Sequence, residues 1–445
     1  MRIVMIGAGY VGLVSGICFA DFGHEVVCVD LDESRISRLR GGRVPIFEPG
    51  LEDLLARNMA AGRIRFTTCL AAAVRGADAV FIAVGTPERR GDGDADLTFV
   101  HTAARSVGRA MDPGTVVVTK STVPVGTNRD VARLVSRERP EGEVVHVASN
   151  PEFLREGAAV NDFMCPDRVV IGVETGHARE VLERIYDSVC GRGFPLVATD
   201  IESAEMIKYA SNAFLATRIA FINEMARLCD TVGADIRNVS RGMGLDKRIG
   251  NRFLEPGPGY GGSCFPKDTA ALARRIRDAG LPVSIVNTVI RANDDMKLCM
   301  HDKVMALLDQ DPEGKTVAVL GVTFKPGTDD MREASSLTIL PPLLRAGATL
   351  RICDPEGFAE GERLFPGADW SEDPYDAVRG ADAVVLLTDW DVFRHLDLER
   401  VASVMARPRF ADLRNVYDMN AARQAGFEAY LPVGRPGYMP GGAPD

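Results

Sequence analysis

The sequence has no surplus of positive charge: 52 Lys and Arg stand against 62 Asp and Glu, a net charge of −10. This removes the electrostatic footprint that a nucleic-acid strand requires, while a small anion can still be met by local basic groups or a helix N-terminus. Paired-cysteine motifs are also missing. The nine cysteines are odd in number, scattered from Cys18 to Cys353 and never spaced as CxxC, which argues against a disulfide framework and structural zinc. No metal is expected. No apolar run reaches the roughly 18 residues of a membrane span, so no membrane partner is expected. Met1–Ile6 already reads as a strand, so no signal peptide is expected, and a reducing cytoplasm is the simplest location. Glycine and proline are absent from Ile201 to Thr231. There Ile207, Ala210, Phe214, Ala220, Met225 and Leu228 recur at helical spacing, which predicts one long helix ending near Gly233.

What is present is a β-α rhythm in a chain long enough for two or three cores. Strand-like runs at Ile3–Ile6, Glu25–Val29, Ala79–Val84, Thr115–Thr119, Glu143–Ala148 and Arg168–Val173 alternate with helical patterns such as Gly12–Phe22, Ser34–Arg40 and Leu51–Ala60. After Asp311-Pro312 the rhythm resumes with Lys315–Leu320, Ala334–Ala346, Thr349–Cys353, Asp382–Leu387 and Arg409–Asp412. Such repetition implies mostly parallel sheets covered on both faces.

Gly7-Ala-Gly9-Tyr-Val-Gly12 follows a strand directly and opens a helix. Glycines in that setting permit a tight turn, close approach of a pyrophosphate and close helix–strand packing. Asp30 ends the next strand, where it can accept from a ribose 2′-OH and would repel a 2′-phosphate. This favours NAD over NADP, although Arg35 nearby pulls the other way. Val84-Gly-Thr86-Pro87 and Lys120-Ser-Thr122-Val-Pro124 end two further strands and fit a ligand crevice beside the carboxyl edge of the sheet, though each also reads as ordinary turn chemistry. The predicted class is α/β, with two Rossmann-like doubly wound domains (1–199 and 312–433) joined by a long central helix and a helical middle domain (200–311). The Gly/Pro-rich end, 434–445, is expected to be a flexible tail.

One cysteine differs from the other eight. Cys264 lies in Gly259-Tyr-Gly-Gly-Ser-Cys264-Phe-Pro-Lys267-Asp268, where the glycines are expected to leave backbone open to a ligand, a setting that a packing cysteine does not need. Asp268 falls on the first turn of a following helix. It is either a carboxylate placed for the macrodipole or a general base beside the thiol. Lys208 and Asn212, four apart on the long helix, share a face that is either a solvated stripe or turned toward a cleft.

Gly7–Gly12, Ser121–Pro124, Asn150–Gly157, Lys208–Asn212, Gly259–Asp268 and Phe324–Arg332, ordered along nearly the whole chain, together resemble the UDP-glucose/GDP-mannose dehydrogenase family. The resemblance implies a two-step, NAD-dependent oxidation of a nucleotide sugar, UDP-glucose first, through a thioester on Cys264. It assigns Lys208 to oxyanion stabilisation, Asp268 with Thr122 to ordering the water, and Asn212 to the sugar or its oxyanion. Glu152 and Glu156 form an acidic pair, Glu156 nearer the nicotinamide and Glu152 a base for hydrolysis. Cofactor contacts are implied at Gly7, Gly9, Val11, Gly12, Asp30, Arg35, Thr86, Thr122, Glu156, Lys267 and Arg332. Substrate contacts are implied at Phe153, Leu154, Arg155, Glu156, Lys208, Asn212, Tyr260, Gly261, Lys325 and Arg414, with Arg248 reaching the neighbouring subunit's substrate in a homodimer. The second α/β domain lacks GxGxxG after Leu320, so it would hold the uridine nucleotide. Glu255-Pro256 departs from the family pattern, and a carboxylate there is unfavourable near a diphosphate. Cys165 also departs and is expected to be neutral.

GDP-mannose and UDP-N-acetyl-mannosamine are the competing substrates, since fold and chemistry do not fix the sugar. A non-catalytic NAD-binding regulator is the competing class. It would need none of Cys264, Lys208, Asp268 and Glu156.

Overall fold

The computed structural model describes residues 1–89, 95–282 and 284–440. The chain forms two compact units, Met1–Ser211 and Asn212–Asp445. The first is built on eight strands: β1 (Arg2–Ile6), β2 (Glu25–Val29), β3 (Ile64–Thr67), β4 (Ala79–Ile82), β5 (Val116–Thr119), β6 (His146–Ser149), β7 (Val169–Val173) and β8 (Leu196–Thr199). They line up as β3-β2-β1-β4-β5-β6-β7-β8, with only the β6–β7 pair antiparallel. Apart from Arg2 and Thr119 at their ends, β1, β4 and β5 are continuous apolar runs because helices cover both of their faces. β3 and β8 were not anticipated. Both are four-residue edge strands, too short for a periodicity argument.

The second unit has a six-stranded parallel sheet: β9 (Thr316–Leu320), β10 (Thr349–Cys353), β11 (Asp369–Trp370), β12 (Ala383–Leu386), β13 (Arg409–Asp412) and β14 (Ala429–Pro432), ordered β11-β10-β9-β12-β13-β14. This is the doubly wound order, with the switch point between β9 and β12. The predicted long helix spans Ile201–Val232. From Asn212 onward the helical stretch belongs to the second compact unit. Met296, Met300, Val304 and Leu307 on the helix Ile285–Leu307 share one apolar core with Ile222, Val317 and Val319.

The two sheets begin with the same turn. Gly7 (φ 98°) donates to Val29 O at 2.8 Å, and Gly321 (φ 83°) donates to Cys353 O at 2.8 Å. Asp354, at the end of β10, then stands where Asp30 stands after β2. Its Oδ2 accepts from the Val322 and Thr323 amides, at 2.6 and 3.1 Å, and its Oδ1 from the Glu356 and Gly357 amides, at 3.0 and 2.8 Å. The Thr323 hydroxyl and the Trp390 indole add donors at 3.3 and 3.4 Å.

The flexible tail expected from residue 434 is corrected in its first part. Arg435 is buried and pairs with Asp418 at 3.3 Å, and Tyr438 exchanges two backbone hydrogen bonds with Tyr430. Composition suggested disorder there, but β14 offered a free edge for pairing. Residues 441–445 lie outside the described ones. Among the described residues no helix is long and apolar enough to cross a membrane.

Candidate active site

In the first unit, the glycines of residues 7–12 serve different purposes. A Cβ on Gly7 would lie 2.5 Å from Ala83 O, and one on Gly12 would lie 1.9 Å from Gly7 O, so both are required by packing. A Cβ on Gly9 would meet nothing within 4 Å. Gly9 is the N-cap of the helix Tyr10–Asp21 and offers no side-chain bond to it. Open space above unsatisfied N–H groups at a helix N-terminus fits a pyrophosphate. Val11 lies on the same first turn.

Asp30 is half-buried beside this turn. Its Oδ2 accepts from the Ala8 amide at 2.8 Å and from Arg35 Nη1 at 3.0 Å, and its Oδ1 accepts from the Asp32 amide at 3.0 Å. Burial opposes its charge, but these donors outweigh burial and hold the carboxyl below its usual range. Arg35, the residue that pulled toward NADP, is engaged by Asp30. The two strand-end turns are tied to each other, since Thr86 Oγ1 donates to Thr122 O at 3.0 Å and Ser121 Oγ to Val84 O at 2.7 Å.

The loop of residues 150–157 is held from several sides. Glu152 and Lys208 form an ion pair at 3.1 Å, with side chains 5 % and 4 % exposed. The solvated-stripe reading of Lys208 is therefore excluded. Glu152 Oε2 also accepts from the Leu154 amide at 2.6 Å. Burial pushes the Glu152 carboxyl up, but Lys208, the Leu154 amide and Lys120 outweigh it and hold it below the usual range. Phe153 is stacked under Arg168 at 3.6 Å and faces Lys208 at 5.3 Å. Arg155 is exposed and pairs with Asp162, and Glu156 is half-buried.

Lys120 was read in the sequence only as part of a turn. It is buried, donates to Asn150 Oδ1 at 3.1 Å, and lies 5.5 Å from the Phe163 ring centre. Burial lowers its ammonium to about 8, with Lys208 adding to the effect and Glu152 opposing it. The sequence signal was present: a lysine directly after the valine-rich strand Val116–Thr119.

In the second unit, Cys264 is the N-cap residue of the helix Phe265–Asp278, and Asp268, one turn on, donates its amide to Cys264 O at 2.9 Å. The thiol is half-buried and sits at the positive end of that helix, where negative charge is favoured. Cys28 and Cys353 are instead buried, and burial pushes both of those thiols up to about 12. Asp268 is buried; its Oδ2 accepts from Asn212 Nδ2 at 2.6 Å, and its Oδ1 pairs with Lys267 Nζ at 2.9 Å. Asp268 is the first-turn carboxylate of that helix, one turn from the cysteine that caps it. Asn212 is buried as well.

The glycines before Cys264 act differently from expectation. Gly257, Gly261 and Gly262 are buried, not open to solvent. A Cβ on Gly261 would lie 2.4 Å from Glu333 O, and one on Gly262 would lie 2.7 Å from the Phe324 ring. They let residues 257–264 pack against the segment bearing Lys325 and Arg332. Two residues missed by sequence reading hold that junction. Asn293 Oδ1 accepts from the Tyr260 amide at 2.7 Å while Asn293 Nδ2 donates to Tyr260 O at 3.1 Å, and Lys297 Nζ donates to Glu333 O at 3.1 Å. The available signal was two polar residues on the row Val289, Asn293, Lys297, where helical period calls for apolar ones.

Arg332 pairs with Asp330 at 2.7 Å, and Lys325 lies 5.5 Å from the Phe324 ring centre. Arg414 donates to Leu387 O at 2.6 Å and Phe324 O at 3.0 Å, and burial lowers its guanidinium. Arg248 is almost fully exposed and pairs with Asp246 at 2.6 Å. Arg218 fixes the neighbouring loop by donating to the Ile249, Gly250 and Arg252 carbonyls at 2.8, 2.8 and 2.9 Å.

Comparison with known proteins agrees along the whole chain. Residues 1–190 match the NAD binding domain of the UDP-glucose/GDP-mannose dehydrogenase family, residues 202–295 its central domain and residues 318–419 its UDP binding domain. The UDP-glucose 6-dehydrogenase of Rhizobium meliloti (strain 1021) is 53% identical over 438 residues, covering 98% of this chain and 100% of that protein. The solved UDP-glucose dehydrogenase from the hyperthermophilic archaeon Pyrobaculum islandicum is 40% identical with a TM-score of 0.90, covering 98% of each chain. The UDP-D-ManNAc dehydrogenase from Pyrococcus horikoshii is 28% identical with a TM-score of 0.86, covering 98% of this chain and 99% of that one. The cofactor of this chain is NAD, and the chain belongs to the UDP-glucose/GDP-mannose dehydrogenase family.

Proposed function

We propose that the protein oxidises UDP-glucose to UDP-glucuronate, with Cys264 as the covalent nucleophile. The observation that carries the reading is the setting of Cys264, a half-buried thiol at a helix N-terminus with the Asp268–Asn212 pair one turn away. The relative at 53% identity, a UDP-glucose 6-dehydrogenase, favours glucose over mannose or N-acetyl-mannosamine.

NAD, when bound, accepts one hydride in each of two oxidations. The first removes a hydride from C6 and a proton from its hydroxyl, giving an aldehyde. Cys264 Sγ adds to the aldehyde carbon, and loss of a second hydride from that carbon leaves a thioester. Water then attacks, the C–S bond breaks, and the thiol is restored with release of the acid. A thiol suits this sequence because it is a good nucleophile near neutral pH. Lys208 and Asn212 stabilise the oxyanion, and loss of one such donor typically costs about 10²–10³ in rate. Glu152 is held ionised by Lys208 and Lys120, as a base for the hydrolytic step must be. Asp268 and Thr122 order the water, and Glu156 serves at the nicotinamide and the sugar.

The N-terminal sheet holds NAD at Gly9 and Asp30, and the C-terminal sheet holds the uridine nucleotide through Lys325 and Arg414. The chain works as a homodimer, with Arg248 serving the partner's substrate. Support comes from Phe214, Phe221 and Leu228, exposed by 63%, 44% and 52% at seven-residue spacing on one helix. All nine cysteines are unpaired, which suits a reducing cytoplasm.

The test is Cys264→Ser. Acid formation from UDP-glucose should be lost while NAD binding is kept, and wild type should yield two NADH per sugar. Acid formation by the serine variant would refute the thioester route. Faster turnover of GDP-mannose would refute the substrate.

A further inference from the structure

The buried carboxylate of Glu48 is used by none of the steps above. It is 6% exposed and has no basic partner within ion-pair distance among the described residues. Its two oxygens are instead filled by hydrogen-bond donors from two functional segments. Oε1 accepts from the Ala159 amide at 2.7 Å and the Val160 amide at 3.3 Å; Oε2 accepts from the Gly157 amide at 2.8 Å and from the Tyr10 hydroxyl. The Tyr10 oxygen in turn accepts from the Gly157 amide at 3.2 Å.

These bonds answer a local need. The helix Ala159–Met164 is preceded by Ala158, whose side chain offers no cap, so its first amides would lack partners. Gly157 adopts φ 78°, a turn that the loop of residues 150–157 must make to enter that helix. Glu48 supplies the missing acceptor from a distant part of the chain. Tyr10 is the first residue of the helix that opens at the dinucleotide turn. Burial first, and then Glu48, raises its phenol far above the usual value, so the hydroxyl stays a donor at every working pH.

We propose that Tyr10 and Glu48 are positioning residues that strap the dinucleotide turn to the loop bearing Glu152 and Glu156. The inference rests on the proposed role of that loop. The acidic pair is anchored at one end by the Glu152–Lys208 ion pair and at the other by Gly157. The second anchor runs through one hydroxyl on the cofactor helix. Neither residue is assigned a contact with the sugar.

Tyr10→Phe removes that hydroxyl alone, and Glu48→Gln replaces one acceptor oxygen by a donor group that opposes the amides. Both are made in the full-length protein. The readouts are steady-state kinetics with UDP-glucose and NAD, and amide exchange of residues 157–160. For Tyr10→Phe the expected result is a KM for NAD within about twofold of wild type, kcat lowered several-fold, and about tenfold faster exchange of the Gly157 amide. Glu48→Gln should move the same readouts further, with the Ala159 and Val160 amides included. Unchanged exchange in both variants would overturn the strap. So would a rise in the NAD KM that accounts for the whole loss of rate. Faster exchange with unchanged kinetics would uphold the strap and refute the catalytic reading of the loop instead.

Discussion

Substituting alanine at Gly9 and at Gly12 should give opposite phenotypes, although the two glycines are three residues apart in one motif. Gly9 has φ −76° and ψ −172°, extended backbone open to any residue, and its added Cβ would touch no protein atom within 4 Å. The Gly9→Ala protein should fold normally and gain about 0.4–1 kcal/mol by restricting the unfolded chain. Its methyl group would occupy the space left for the pyrophosphate. Overpacking of this kind costs about 1–3 kcal/mol, which at about 1.4 kcal/mol per decade weakens NAD binding by roughly 5- to 150-fold. At Gly12 the added carbon would lie 1.9 Å from Gly7 O and 3.2 Å from Ala83 Cβ. Backbone must therefore move, and the cost falls on stability. The assays are NADH binding by calorimetry and the midpoint of urea unfolding. Wild-type NADH affinity in Gly9→Ala would refute the placement of the pyrophosphate. A wild-type urea midpoint in Gly12→Ala would refute the packing argument.

Three further outcomes follow from the same geometry. Lys120 titrates near 8 in the fold against about 10.4 unfolded, so between those values the unfolded chain binds more protons and stability rises with pH. Wild type should gain on the order of 3 kcal/mol across that window, a rise that Lys120→Met should lack in urea midpoints taken from pH 7.5 to 10.5. Asn293→Ala leaves the Tyr260 amide and carbonyl unpaired, at about 1–3 kcal/mol each. Alkylation of Cys264, followed by peptide mass spectrometry, should change rate while NADH affinity holds; an unchanged rate would show that Asn293 does not set the thiol. Phe221→Asp should shift sedimentation from the proposed dimer to monomer and lower the turnover of UDP-glucose, whereas an intact dimer would place the self-association surface elsewhere.

The fold was legible wherever burial imposes a pattern. β1, β4 and β5 are apolar but for Arg2 and Thr119 at their ends, and the helix Ile201–Val232 carries no breaker, so both could be read directly. The edge strands β3 and β8 could not, because four residues are too short a window for a period to show, even though Ile64 and Phe66 of β3 are buried. Within the candidate site, residues that share a contiguous motif could be proposed from the sequence: Gly9, Asp30 and Cys264. Chemistry assembled from distant residues was not. Glu48 meets Gly157 across 109 positions, and Asn293 meets Tyr260 across 33, and no periodicity records such meetings. The glycines before Cys264 were assigned to ligand access because a sequence shows that a side chain is missing, not which neighbour occupies the room.

Asp30 and Asp354 occupy matching places after equivalent turns, yet they differ in spare capacity. A carboxylate offers about four lone-pair directions. Three protein donors reach Asp30, whereas six reach Asp354. The first can still welcome a diol, and the second is saturated, a structural rivet in the place of a receptor. Recognition of a nucleotide at the second sheet is thereby left to cationic and backbone groups, and an acidic residue closing a second strand identifies a ribose site only when its valence is unfilled.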